Sequence, residues 1–206
     1  MSFQDLLGRL LTEPAPADLL ALQTRLLAAE ADPECAEAAR CALGVASEFY
    51  AYLSELEAKY SAREYSELAS LLDMGAVGAV ALENLAEAGE ALRQRMLLGA
   101  LSEVLMVLAS RQYVKAWSRE MPPIHMRAVW FLRSELWRLS VAGRPDMQSE
   151  ERAALVDGVL APALDSAAAE DVRLVLLGRL FQVVLLIHLA QVLSGSRTRE
   201  CGSLVR

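Results

Sequence analysis

At 206 residues the chain is long enough for one domain with a sizeable core, without help from disulfides or metals. Hydrophobic residues make up 54%, much of it Ala and Leu, and no long stretch alternates apolar with polar residues. That excludes a β-rich fold and predicts an all-α protein, while the net charge of -7 speaks against general nucleic-acid binding.

The predicted elements follow from breakers and caps. A first helix runs from Ser2 to about Leu11, and Pro14 and Pro16 break it. A second begins at Asp18 or at the prolines and ends near Glu30. Asp32-Pro33 reads as an N-cap followed by Pro at the first helical position, which predicts a long helix from Pro33 to about Lys59. Ser61 and Glu64 have capping-box spacing, so another helix starts there. Gly75 and Gly78 mark a break or a close helix contact near Leu72.

Beyond that point the pattern predicts helices from about Ala76 to Ala88 and from Glu90 to Arg119, ended by Pro122 and Pro123. Further helices are expected from Ile124 to Val141, from Ser149 to Leu164, and from Asp165 or Ser166 to Ser194. The reading is a single all-α domain over 1–193 with about eight or nine helices, and a disordered tail over 194–206. The packing is either an irregular multi-helix bundle or a short α-solenoid.

Three segments repeat one pattern, a Leu-Gly pair followed by apolar helical sequence, at Leu43-Gly44, Leu98-Gly99 and Leu177-Gly178. Residues 26–44 carry one helix, a turn with Asp32-Pro33, and a second helix reaching Ala42-Leu43-Gly44. This segment resembles a HEAT repeat. Residues 160–178 look like a degenerate copy, with Val172-Arg173 where that family often has Val-Arg, and residues 73–82 resemble an armadillo entry. The resemblance implies partner binding along a concave helical surface and contributes no catalytic residue. The Leu-Gly pairs lie 55 and 79 residues apart, whereas solenoid repeats recur at roughly 40–47, so a bundle remains the alternative. Both architectures place Gly44, Gly99 and Gly178 at close helix–helix contacts.

Between Arg111 and Arg144 seven cations face only Glu120 and Glu135, leaving this window at +5 and, against a total of -7, the remainder at -12. Trp117, Trp130 and Trp137 all fall in it. Arg and Trp are enriched at binding hot spots, and guanidinium groups pair with carboxylates through two hydrogen bonds. On a helix, Val129, Leu132, Leu136 and Leu139 form one apolar stripe, Trp130 and Trp137 sit together at its edge, and Arg127, Arg133 and Arg138 surround that edge. The bland alternative is a core helix whose Arg heads reach water or acidic groups elsewhere. The functional reading makes Arg127, Trp130, Arg133, Trp137 and Arg138 a docking face for an acidic or amphipathic partner helix.

Chemistry is hard to find. His188, inside an apolar run, reads as a core histidine with a hydrogen-bond partner, and His125 as a residue at a helix start. Neither sits in a metal-ligand spacing, and there is no phosphate loop or nucleophile elbow. Glu83, Glu87 and Glu90 share a helical face best read as solvated. Cys35, Cys41 and Cys201 read as reduced thiols of a cytoplasmic protein. The apolar stretch Leu180 to Leu193 is taken as a buried central helix, too short for a membrane span. The aromatic residues Phe49, Tyr50 and Tyr52 read as core or as a pocket wall. These features lead to a non-enzymatic helical adaptor or regulatory subunit with no catalytic residue, cofactor or metal, and with a homo-oligomer allowed. The alternative is a sensor that takes a small apolar ligand between its helices.

Overall fold

The computed structural model describes residues 1–87, 127, 128, 131, 132, 134, 135, 138 and 170–197. Among them there is no strand, and the fold is all-α. Six helices have defined bounds: α1 (Phe3–Thr12), α2 (Pro16–Glu30), α3 (Ala36–Lys59), α4 (Ala62–Ser70), α5 (Gly75–Glu87) and α6 (Glu170–Arg197). The predicted helices over 90–119 and 149–164, and with them Gly99, lie outside the described residues. The chain divides into two compact units, one of Met1–Ala88 with Phe181–Arg206, the other of Gly89–Leu180.

In the first unit, α1 opens on a capping box. The Asp5 N–H donates to Ser2 Oγ and the Ser2 N–H to Asp5 Oδ2, each at 3.0 Å. Its apolar positions Phe3, Leu6, Leu7, Leu10 and Leu11 are all buried, the spacing of an amphipathic helix. The box predicted at Ser61 is present at the start of α4, where the Ser61 N–H donates to Glu64 Oε2 at 3.1 Å. Hydrogen bonds from Ser2 and Ser61 hold the Asp5 and Glu64 carboxyls below their usual range.

Helices α2 and α3 form an antiparallel hairpin. The Gln23 amide donates to the Ala46 carbonyl (3.4 Å) near mid-length, and Arg40 pairs with Glu30 (3.6 Å) near the turn. The turn corrects one expectation, because Pro33 is not the first residue of the helix. Asp32 Oδ1 accepts from the Glu34 N–H (3.1 Å) and the Cys35 N–H donates to the Asp32 carbonyl (3.0 Å), so Asp32-Pro33 is spent on a tight turn and α3 begins at Ala36. A second correction concerns Gly44, which is exposed and has open space where a Cβ would stand. It marks no close helix contact, and α3 runs through it to Lys59. Gly178 is buried.

The expectation at Gly75 and Gly78 holds in both senses. Gly75 has φ +25°, which breaks the chain between α4 and α5. At Gly78 a Cβ would lie 2.7 Å from Leu11 Cδ2, so α5 packs closely on α1 there and a larger residue would push the end of the Leu11 side chain aside.

The C-terminal half of α6 is the core of this unit, with residues 181–190 all buried. Phe181 stacks on Phe49 (centroids 5.2 Å apart, planes 7° apart) and lies 5.5 Å from the Tyr52 ring. The aromatic residues Phe49 and Tyr52 are therefore core. The 18-residue window Leu177–Ser194 is long and apolar enough to cross a membrane by length and composition, and 78% of it is buried within the protein, as in a core helix. The helix also continues to Arg197, past the stop expected at Ser194.

Candidate functional site

The basic segment is described at seven positions, all helical. Ala128 and Leu132, one turn apart, are 2% and 0% exposed, while Arg127, Ser134 and Arg138 are exposed. Phe131 and Glu135 are half-buried between these faces. The described helical positions thus divide into a buried side through Ala128 and Leu132 and an outward side carrying the Arg127 and Arg138 guanidinium groups, in keeping with the 3.6-residue period. Arg138 Nη2 pairs with Glu135 Oε2 at 2.7 Å, three residues away. Leu132 is the described member of the expected apolar stripe, and it is buried. Trp130, Arg133 and Trp137 lie outside the described residues.

The first unit holds its polar groups differently, because they are buried singly among apolar residues. Gln182 is 2% exposed, and its amide donates to the Leu10 carbonyl at 3.0 Å while its Oε1 has no partner. The reason is local to α1. The N–H that would close the helical bond to Leu10 belongs to residue 14, which is Pro14 and has none. The neighbouring carbonyls are served from other segments. The Met74 N–H donates to the Leu11 carbonyl (2.6 Å) and the Tyr65 hydroxyl to the Pro14 carbonyl (3.2 Å). Burial, with Glu57, Asp18 and Glu13 nearby, pushes the Tyr65 hydroxyl pKa up, so it stays a donor. Sequence reasoning missed Gln182, although Pro14 alone signalled that a donor was needed at Leu10.

Asp18 is 2% exposed in the first turn of α2, with Oδ1 2.9 Å from the Arg9 guanidinium and Oδ2 unpartnered. Arg9 itself is largely exposed. Arg9→Ala is expected to cost about 1–2 kcal/mol, more than the ±0.5 kcal/mol usual at the surface, because it strands a buried carboxylate. Urea denaturation checks this, with Arg63→Ala, which loses only a cation of an exposed i,i+4 surface pair, as the control.

His188 is 1% exposed, and its Nδ1 lies 3.2 Å from Gln191 Oε1. It is a core histidine with a partner, as expected. The Cys35 thiol is buried and donates to the Val192 carbonyl (3.6 Å). Burial first, then Asp32 and Glu34, raises its pKa, so it remains a thiol and a poor nucleophile. Neither Cys35 nor Cys41 forms a disulfide. Among the described residues no three His, Cys, Asp or Glu side chains converge as metal ligands. Glu83 is exposed on α5.

Compared with protein-family models, curated proteins and solved structures, the chain matches none.

Proposed function

We propose that the chain is a non-enzymatic adaptor or regulatory subunit that docks an acidic or amphipathic partner helix on its basic, Trp-containing segment. The observation that carries this reading is the division of that helix, with Ala128 and Leu132 buried and Arg127 and Arg138 turned outward in a window of charge +5. Trp130 and Trp137 would supply apolar anchors and Arg127, Arg133 and Arg138 the carboxylate contacts.

The test is affinity capture at low and high salt with the intact chain and with its Arg127→Glu/Arg133→Glu/Arg138→Glu variant, circular dichroism confirming that both are folded. The expected result is a stoichiometric protein partner whose recovery falls at least about tenfold at high salt and on charge reversal. An unchanged set of partners across all conditions overturns the proposal.

A further inference from the structure

Helix α4 is tied firmly to its unit at both ends and only lightly between them. At its start the chain leaves α3 through Tyr60, whose N–H donates to the Leu56 carbonyl (2.9 Å) and whose backbone is extended (φ -105°, ψ 149°). Past its end Leu72 is buried, and the Met74 N–H donates to the Leu11 carbonyl (2.6 Å). Of the residues from Ala62 to Ser70, Ala69 alone is buried, while Tyr65 and Leu68 are half-buried. Among the described residues, two side-chain hydrogen bonds join α4 to the turn between α1 and α2. The Tyr65 hydroxyl donates to the Pro14 carbonyl (3.2 Å), and the exposed Ser66 hydroxyl donates to Glu13 Oε1 (2.9 Å). The ion pair described on α4, Arg63 with Glu67 (3.0 Å), stays within the helix.

We propose that α4 is a strap across the α1–α2 turn, latched by Tyr65, that detaches and re-forms while the rest of its unit stays folded. Detachment exposes little apolar surface, chiefly Ala69 with parts of Tyr65 and Leu68, so the hydrophobic effect resists it weakly. Charge adds no grip, because the groups near the Tyr65 hydroxyl are the carboxylates of Glu57, Asp18 and Glu13, and Arg63 is turned to Glu67. A helix of 9 residues is shorter than the roughly 12–15 that persist alone in water, so α4 unravels once it lifts, and its backbone regains conformational freedom. The anchors at Leu56 and Leu11 lie outside the strap, so α1, α2 and α3 keep their packing when it opens. Opening frees the Pro14 carbonyl, and closing restores its donor.

Native-state amide hydrogen exchange on the full chain, in water and in urea below the unfolding transition, tests this. The amides of residues 62–70 are expected to exchange at least about a hundredfold faster than the slowest amides of α2 and α3, at rates nearly flat in urea. Two conservative variants separate strap opening from global unfolding. Phe181→Leu weakens the core far from the latch, so it should speed the slowest α2 and α3 amides about tenfold and leave residues 62–70 within about twofold. Tyr65→Phe removes the latch hydroxyl alone and should speed exchange at residues 62–70 about three- to tenfold. Amides of 62–70 that exchange as slowly as the core, or that accelerate with it in Phe181→Leu, overturn the proposal, because α4 then opens only with the whole unit. Unchanged exchange at 62–70 in Tyr65→Phe overturns it as well, because Tyr65 then latches nothing.

Discussion

Phe181→Ala is expected to lower the unfolding free energy by about 3–5 kcal/mol, the largest loss from any single truncation considered. Phe181 is 1% exposed and stacks on Phe49 while its ring also meets Tyr52. Removing it deletes the apolar surface of a ring and leaves a cavity between α3 and α6 that neither Phe49 nor Tyr52 can fill without leaving its own contacts. Burial raises the Tyr52 hydroxyl pKa well above its usual range, so that ring stays neutral and cannot recruit water by ionising. Urea denaturation followed by circular dichroism measures the effect. Phe181→Leu, which keeps much of the volume, should cost far less, about 1–1.5 kcal/mol. A loss below 1 kcal/mol for Phe181→Ala would show that this ring stack is not central to the unit.

Gln182→Glu is expected to cost about 3–5 kcal/mol at neutral pH although it changes one atom group. The amide that donates to the Leu10 carbonyl becomes a carboxylate facing that carbonyl at a position only 2% exposed. The loss should depend on pH in a fixed direction. Burial raises the folded-state pKa of the new carboxyl above its unfolded value, so the folded protein binds the extra proton. Relative to wild type, stability is therefore recovered as pH falls through that raised pKa, where the protonated acid again donates to Leu10, and is lost as pH rises through it. Gln182→Leu removes both the donor and the unpartnered Oε1, and should cost only about 1–3 kcal/mol at all pH values. Denaturation at pH 7 and pH 4.5 distinguishes the two. Equal, pH-independent losses would mean that the Gln182–Leu10 contact contributes volume rather than a hydrogen bond.

Several local features could be read from short stretches because their causes lie within a few residues. The helix starts at Ser2 and Ser61 depend on a side chain reaching three residues along the chain. The break at Gly75 depends on one residue's freedom to take positive φ. Asp32-Pro33, read as a helix start, went wrong for an equally local reason, since an Asp followed by Pro can also close a turn, and here the Glu34 and Cys35 N–H groups decided for the turn. In the candidate docking segment the period placed Leu132 on the buried side. Leu20 and Leu27 on α2 also have helical apolar spacing and yet are exposed, because apolar spacing alone does not separate a buried face from an exposed one.

By itself, then, the sequence determined that this protein is helical, where five of its helices lie to within a few residues, and where its positive charge is concentrated. Only the tertiary structure decided which apolar positions are covered and which polar groups meet. Gly44 and Gly78 look alike in sequence, yet only Gly78 has another helix against it. Pro14 leaves the Leu10 carbonyl without its helical donor, but nothing local specifies that Gln182, 172 residues away, supplies the replacement. Helix formation is governed by neighbours three and four residues apart, whereas burial and the pairing of leftover backbone groups depend on segments that only folding brings together.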